Sequence, residues 1–212
     1  MTENTNSKFP SEADVVIVGV GGIVGSMIAY WLSELGQKNI VGLEKSSVIP
    51  SDIASTAHAS DFVYNTTHDK LGCWTTAFSR KFYEDNGFFL KKGGLEICRK
   101  GDDARWEELK RKVGSGKAFG TNVRLISAAE AKEKFPLLDE ESLMGAMWDP
   151  DAGLVIPRSQ DVVSFAVEHA KDKGALKTFT DTPAIDFEVE NSRVTGVHTD
   201  KGFIKADKVV IC

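Results

Sequence analysis

The 212-residue sequence has few cysteines, no cluster of basic residues and no long apolar run. Cys73, Cys98 and Cys212 are far apart and form no Cys-x-x-Cys pair, so neither a disulfide framework nor a metal site is predicted. With a net charge of −5 and scattered lysines and arginines, the chain has no basic footprint for nucleic acid or an anionic membrane. No apolar run approaches the roughly 20 residues of a membrane span. Small-molecule chemistry is therefore the expected function class.

The first residues also lack a targeting signal. Residues 1–12 are polar and contain no apolar core of the kind that a signal peptide needs. We interpret them as a short disordered lead of a cytoplasmic protein.

The first structured part of the sequence has the order strand, glycine turn, helix, strand. Asp14–Val18 is a β-branched run that ends at a glycine, as buried strands of parallel sheets do. From Ile23 onward apolar residues recur on one helical face until Gly36, which is placed to end the helix. Ile40–Leu43 is the second strand. This order favours the α/β class and the first half of a Rossmann-like nucleotide-binding domain.

The simple alternation of strands and helices stops after Glu44. Mixed helix and strand signals over 63–174 indicate an inserted α+β region on the substrate side. The nucleotide-binding elements are then assigned to 13–62 and 175–212, so that 13–212 forms one incomplete domain.

The last part of the sequence predicts a β-meander. Its strands, separated by turn-forming residues, are Ala184–Val189, Val194–Thr199 and Phe203–Lys205. A separate apolar strand, Lys208–Cys212, follows and closes the sequence. Because a buried parallel strand is normally followed by a loop and a covering helix, we expect a domain truncated at its C-terminus.

The glycine turn is the first candidate binding site. A dinucleotide fingerprint needs three glycines, for the tight turn, for approach of the pyrophosphate and for helix packing. Strict Gly-x-Gly-x-x-Gly spacing fails because valines occupy positions 20 and 24, so the turn is expected to be one residue longer than usual. Backbone N–H groups at the helix N-terminus still predict an anion site, with a purely structural turn as the alternative. The candidate glycines are Gly19, Gly21, Gly22 and Gly25.

An acidic residue follows at the end of the second strand. Glu44 lies about 20 residues past the glycines, where a carboxylate accepts hydrogen bonds from adenosine ribose hydroxyls. A carboxylate there disfavours a 2′-phosphate, so an NADP site is not expected. The alternative is an exposed charge at a strand end.

Ser55–His58 is the segment that separates the possible cofactors. By residue type, Ser55 and Thr56 can cap a helix and donate hydroxyl groups to a phosphate. His58 is a single imidazole with no visible partner, and residue type alone favours a structural role for it.

Three stretches, Asp14–Gly25, Glu44-Lys45 and Ser55–His58, together resemble the dimethylglycine and sarcosine dehydrogenase (oxidase) group of the D-amino-acid-oxidase-like flavoproteins. In that group a Ser-Thr-x-His-Ala segment follows the second strand, and its histidine is joined covalently to the flavin. Gly93–Glu96, Phe135–Leu138 and Asp149–Leu154 extend the resemblance over nearly the whole chain.

The resemblance implies an FAD cofactor, covalently bound at His58. Carried over residue by residue, it places Ile23 and Val24 along the pyrophosphate and Glu44 and Lys45 at the adenosine ribose. It places Ser55, Thr56, Ala57 and His58 beside the flavin and its phosphates. Phe62 is expected near the isoalloxazine, and the backbone of Ala184 at the adenine end. The sequence departs from the group at Asp61, where glycine is common, and in the extra residue of the turn.

The implied chemistry is oxidation of an N-methyl amine such as dimethylglycine or sarcosine, with formaldehyde released or captured by a folate. No catalytic residue is assigned, because in the group the substrate partners lie mainly beyond residue 212, and this part is expected to be inactive alone. The alternatives are a noncovalent FAD amino-acid oxidase of the same fold and a catalytically silent nucleotide-binding fragment. An NAD-dependent dehydrogenase is disfavoured because Ser55–His58 and the meander have no role in one.

Overall fold

The predicted strand, glycine turn, helix and strand are all present in the computed structural model, which describes residues 9–212. The helices are α1 (Ile23–Glu34), α2 (Lys70–Asp85), α3 (Asp103–Ala118), α4 (Ala128–Lys134) and α5 (Ser159–Asp172). The strands are β1 (Glu12–Val18), β2 (Ile40–Leu43), β3 (Phe62–Val63), β4 (Phe89–Lys91), β5 (Gly94–Arg99), β6 (Arg124–Ile126), β7 (Leu143–Asp149), β8 (Gly153–Val155), β9 (Leu176–Phe179), β10 (Ala184–Glu190), β11 (Arg193–Thr199) and β12 (Gly202–Ile211).

The chain folds as two compact units. The first combines the described residues up to Ala59 with Arg158–Cys212, and the second is Ser60–Pro157. The first unit holds a six-stranded sheet in the order β10-β11-β12-β1-β2-β9. Strands β12, β1, β2 and β9 are parallel neighbours, whereas β10, β11 and β12 form the predicted antiparallel meander. The mixed α/β architecture predicted from the sequence is confirmed.

Both faces of the six-stranded sheet are covered by apolar side chains. Val15 and Ile17 of β1 face one core cluster, which α1 and α5 complete. Val16, between them on the opposite face, belongs to a second cluster with Val197 and Ile204 of the meander. Because successive strand residues point to opposite faces, a run that is apolar without interruption buries both.

The second unit contains two small antiparallel sheets, β3-β8-β4 and β5-β7-β6. In the sheet β5-β7-β6 the central strand β7 is largely buried. Helix α3 packs against this sheet through Leu109 and Val113. Helices α2 and α3 both begin at aspartate caps, Asp69 and Asp102, whose side chains accept the N–H three residues later. The unit is thus an α+β body, of the kind predicted for the inserted region.

The borders of this region differ from the predicted ones. Helix α5 was assigned to the insertion, but it belongs to the first unit and packs against α1. Its apolar face, Val163, Val167 and Ala170, joins the same core cluster as β1. The second unit ends at Pro157, before α5 begins. The helical periodicity showed that α5 buries a face, but not which sheet receives it.

The last two predicted strands form one continuous strand in the structure. Phe203–Lys205 and Lys208–Ile211 belong to a single strand, β12, that pairs antiparallel with β11 at its beginning and parallel with β1. Cys212, the last residue of the predicted strand, lies just after it. Ile204 and Ala206 are buried in the same core cluster, so the alternation of buried and exposed side chains continues through the predicted gap.

The predicted disordered lead, 1–12, lies mostly outside the described residues, and Glu12 already belongs to β1. Within the part of the chain that the structure describes, none of the helices has the length and apolar character required to cross a bilayer.

An ion-pair cluster links α1 to the end of α5. The carboxylate of Glu34 lies 2.5 Å from the ammonium of Lys173 and 2.5 Å from Nε2 of His169. Hydrogen bonds from Lys173 first and His169 second hold the pKa of Glu34 below its ordinary value of 4.5. Because the folded-state pKa is lowered, the stabilisation is present above the ordinary value and is lost as pH falls through the folded-state value.

We therefore expect Glu34→Gln to lower the melting temperature at neutral pH and to matter progressively less below pH 4.5. Thermal denaturation of both proteins across this range measures the effect. A melting-temperature difference that stays constant throughout the acid range would show that the carboxylate charge is not what links the two helices.

Candidate cofactor site

A cavity of about 500 Å³ lies in the first unit, at the edge of the sheet where parallel strands β1 and β2 end. Ligands of open α/β sheets bind at the carboxyl ends of the strands, so this is the expected place for a cofactor. The lining residues come from the glycine turn, the end of β2 and the segments on either side of the sheet: Val18, Gly19, Gly22, Ile23, Val24, Gly25, Leu43, Glu44, Lys45, Ser51, Ile53, Ala54, Ser55, Thr56, Thr182, Pro183, Ala184 and Cys212.

The glycine turn brings the beginning of α1 against the end of β1. Gly19 has φ +91°, in the left-handed region that favours glycine. A Cβ on Gly25 would lie 2.3 Å from the carbonyl oxygen of Gly19, so only glycine fits there. Gly22 precedes α1 and makes no side-chain cap, so the beginning of the helix presents backbone to the cavity. These features suit a pyrophosphate at a helix N-terminus.

Glu44 is buried and fixes the turn from the other side. Its Oε2 accepts the N–H of Gly21 at 3.0 Å, and its Oε1 accepts the N–H of Ser46 at 3.0 Å. A Cβ on Gly21 would lie 2.5 Å from Oε2 of Glu44 and 2.8 Å from the Cβ of Ser51, so a side chain there would force Glu44 or Ser51 to shift. A carboxylate has about four acceptor positions, which leaves capacity for ribose hydroxyls. The prediction of an exposed strand-end charge as the alternative role is wrong, because Glu44 is buried.

Ser55–His58 forms a short 3₁₀ turn beside the cavity. The hydroxyl oxygen of Thr56 accepts the N–H of Ile23, the first residue of α1, at 3.0 Å. This bond ties the segment to the glycine turn and satisfies one of the free N–H groups at the beginning of the helix. His58 ends the 3₁₀ turn with an exposed side chain, and the described residues offer it no hydrogen bond or ion pair.

The structure brings most of the predicted site residues together. Ten of them line the cavity: Gly19, Gly22, Ile23, Val24, Gly25, Glu44, Lys45, Ser55, Thr56 and Ala184. Gly21 does not line the cavity, and its backbone N–H donates to the carboxylate of Glu44. Ala57 and His58 follow the lining residues in the 3₁₀ turn. Phe62 lies in the second unit, in β3, where it pairs with Leu154.

Ser51 and the segment at Thr182-Pro183 also line the cavity, although they were not predicted from the sequence. The side-chain oxygen of Ser51 is buried and has no hydrogen-bond partner among residues 9–212. An orphan hydroxyl at the wall of a cavity fits a site whose ligand supplies the missing partner. Thr182 reaches the site because its N–H donates to the carbonyl oxygen of Glu44 at 2.9 Å. Both residues reach the cavity through contacts with residues that are distant in the sequence, so no local pattern predicted them.

Asp61, which stands where the resembling group commonly has glycine, has φ +60°. This is the left-handed region, which aspartate tolerates better than most residues. Its carbonyl oxygen accepts the N–H of Val155 at 2.7 Å within the second unit. The substitution therefore keeps the backbone conformation that glycine would provide.

Comparison with known proteins agrees with this geometry. The sequence profile of the family described as "DAO: FAD dependent oxidoreductase" matches residues 14–212. The pyruvate dehydrogenase phosphatase regulatory subunit of Mus musculus mitochondria is 30% identical over 211 residues, with 96% of this chain and 23% of that protein covered. Mitochondrial sarcosine dehydrogenase of Homo sapiens is 28% identical over 230 residues, with 100% of this chain and 24% of that protein covered.

Among solved structures, L-proline dehydrogenase from P. horikoshii matches with a TM-score of 0.84 and 30% identity, over 96% of this chain and 53% of that one. The chain spans about a quarter of the length of these mouse and human relatives. Both the predicted flavoprotein family and FAD as its cofactor are confirmed. The chain belongs to the family of FAD-dependent oxidoreductases.

Proposed function

We propose that this chain forms the FAD-binding part of an oxidoreductase that acts on an N-methylated amino acid such as sarcosine or dimethylglycine. The observation that carries the FAD site is the cavity at the strand ends, where Glu44 holds the glycine turn and Thr56 holds the first N–H of α1. The substrate class is supported by the similarity to human sarcosine dehydrogenase.

Each wall of the cavity suits one part of FAD. The beginning of α1 lines the cavity with Ile23 and Val24 and offers the positive end of the helix dipole to the pyrophosphate, while the N–H of Ile23 itself is held by Thr56. Glu44 offers acceptor capacity to the adenosine ribose, and Lys45 lies beside it. The backbone at Ala184 lines the remaining wall, where the adenine would lie. When bound, FAD supplies the electron acceptor, and the residues of the chain fix its position.

We propose that His58 is the covalent attachment point of the flavin. Its imidazole is exposed and uncommitted, at the end of a turn whose first residues line the cavity. Ala57 beside it has a small side chain that leaves the turn accessible. A covalent link would keep the cofactor in place through unfolding and refolding.

The test is retention of flavin after denaturation. The chain is produced with FAD, denatured, precipitated with acid and separated by electrophoresis, and flavin fluorescence of the protein band is measured. We expect the wild-type band to fluoresce and the His58→Ala band to be dark. His68→Ala is the matched control, because His68 is also exposed but lies in the second unit and pairs with Glu108.

Two other outcomes separate the alternatives. Flavin that binds to the native chain and is lost on denaturation would overturn the covalent link and favour a noncovalent amino-acid oxidoreductase, a role supported by the similarity to L-proline dehydrogenase. Absence of flavin binding would overturn the FAD site in this chain and favour a catalytically silent role, as the similarity to a regulatory subunit suggests.

The products follow from the proposed substrate. Oxidation of an N-methyl group and hydrolysis of the resulting iminium release formaldehyde, which a folate would capture in the whole protein. Formaldehyde released from sarcosine by the whole protein is the direct measurement of this activity, with unmethylated glycine as the control substrate.

A further inference from the structure

The turn between β9 and β10 forms one wall of the cofactor cavity, which it lines with Thr182, Pro183 and Ala184. This turn is bonded to the backbone of Glu44 on both sides. The N–H of Glu44 donates to the carbonyl oxygen of Phe179 at 2.9 Å, and its carbonyl oxygen accepts the N–H of Thr182 at 2.9 Å. The residue proposed to bind the ribose is therefore directly connected to the wall proposed for the adenine.

The conformation of the turn depends on bonds that hold it in place. Asp181 has φ +48°, in the left-handed region that residues other than glycine adopt only at a cost. Its N–H donates to the carbonyl oxygen of Ser46 at 3.0 Å. Within the turn, the hydroxyl group of Thr182 donates to the carbonyl oxygen of Thr180 at 2.7 Å. These bonds hold the turn against the segment that follows β2.

Lys201 holds the same turn from the meander. Its ammonium group donates to the carbonyl oxygen of Thr180 and to the hydroxyl oxygen of Thr182, both at 2.8 Å. Lys201 lies in the turn between β11 and β12, next to Thr199, which pairs with Ala184. The N–H of Lys201 donates to the hydroxyl oxygen of Thr199 at 3.1 Å, so the backbone of the lysine is fixed as well.

The effect of Lys201 on a cofactor would be indirect, because the lysine itself does not line the cavity. An ammonium group has three donors and no acceptor, so it can bridge two acceptors of one turn. A wall that is already ordered need not be ordered by the ligand, and this preorganisation increases affinity.

We propose that Lys201 is a positioning residue for the adenosine half of FAD. By bridging Thr180 and Thr182, it keeps the cavity wall in the conformation that receives the adenine. This role rests on the proposed FAD site and adds the residue that preorganises its adenosine end. Lys201→Met keeps an unbranched side chain of similar length but removes its donors, so the cofactor must then order the wall.

The test compares FAD with ADP, which contains the adenosine and the pyrophosphate but no flavin. Both are titrated by calorimetry into the full chain carrying His58→Ala, so that a covalent link cannot hide the binding equilibrium. We expect Lys201→Met to weaken the binding of both ligands by the same factor, about three- to tenfold, through the loss of a charged hydrogen-bond donor. Lys201→Arg keeps donors at this position and should restore most of the affinity.

Two further variants test the specificity of the effect. Lys205→Met, an exposed change in β12, is the matched control and should bind FAD and ADP as the parent chain does. Thr182→Val removes one of the two acceptors of Lys201. Adding Lys201→Met to Thr182→Val should therefore weaken binding less than it does in the parent chain.

Unchanged affinity for FAD in Lys201→Met overturns the proposal. A loss confined to FAD also overturns it, because the lysine would then not act on the adenosine half, and so does a loss that Lys201→Arg does not restore. Should Thr182→Val not fold, the variants of the exposed Lys201 decide alone. A parent chain that binds neither FAD nor ADP would overturn the FAD site itself, whereas a parent chain that binds both keeps that site whatever Lys201→Met shows.

Discussion

Alanine at Gly25 is expected to abolish the cofactor cavity. The added Cβ would lie 2.3 Å from the carbonyl oxygen of Gly19 and 2.9 Å from the Cα of Val20, and both are backbone atoms of the same turn. Neither can move by changing a side-chain rotamer, so α1 must shift away from β1. We expect the free energy of unfolding to fall by about 3 kcal/mol or more, at the upper end for overpacking. FAD should then fail to bind at concentrations that saturate the wild type.

Denaturant unfolding and flavin binding measure the two effects, and Gly114→Ala is the matched control. Gly114 lies inside α3 with nothing within 4 Å of a built Cβ. Alanine there should stabilise the chain by about 0.5–1 kcal/mol, because glycine is the poorer helix former. If Gly25→Ala unfolded at the same denaturant concentration as the wild type, the close approach of α1 to β1 would not be a requirement of the fold.

The glycine turn departs from the fingerprint spacing, yet the structure keeps the close packing of helix on strand that this spacing normally provides. Strict fingerprint spacing is broken, yet Gly19 and Gly25 still meet, as tight packing of helix on strand requires. Val20, between Gly19 and Gly21, is completely inaccessible to solvent. Gly42 in β2 makes room for it, since a Cβ there would lie 2.9 Å from the methyl groups of Val20. The fingerprint spacing describes only residues of the turn, so it could not predict that Gly42 of the neighbouring strand leaves space for Val20.

Local periodicity was sufficient for β1, α1 and β2, whose residues are neighbours both in sequence and in space. It was insufficient for α5, because a helix with one apolar face is compatible with any sheet that needs covering. The pairing that decides its place is between α5 and α1, which lie more than a hundred residues apart in sequence. The continuity of β12 was missed for the same reason, because its two halves pair with different partners.

The residues of the candidate site also fall into two groups, those that a local sequence pattern predicts and those that depend on distant contacts. Glu44 and Thr56 were predicted because each belongs to a local pattern that carries chemistry, and the structure places both at the cavity. Ser51 and Thr182 were missed because their positions depend on contacts formed only in the fold, with Gly21 and Glu44. The roles of His58 and Phe62 rest on the resemblance and stay predictions.

Glutamine at position 44 is the second change with a large expected effect, although it keeps the shape of the side chain. Both oxygens of Glu44 accept backbone N–H groups, one from Gly21 and one from Ser46. Glutamine has one oxygen and one NH₂, so one backbone N–H would face another donor in a buried site. An unsatisfied buried donor costs about 1–3 kcal/mol, and the loss of a charged acceptor adds to that cost.

We therefore expect Glu44→Gln to lower the free energy of unfolding by about 2–4 kcal/mol and to weaken FAD binding at least tenfold, since the ribose also loses an acceptor. Glu168→Gln is the control, because Glu168 is exposed and makes one surface ion pair with Lys171. Unfolding midpoints and flavin titrations of both variants measure the effects. If Glu44→Gln were stable but lost FAD, the carboxylate would serve the ribose alone. If it were unstable but, once folded, bound FAD as tightly as the wild type, Glu44 would serve only the turn.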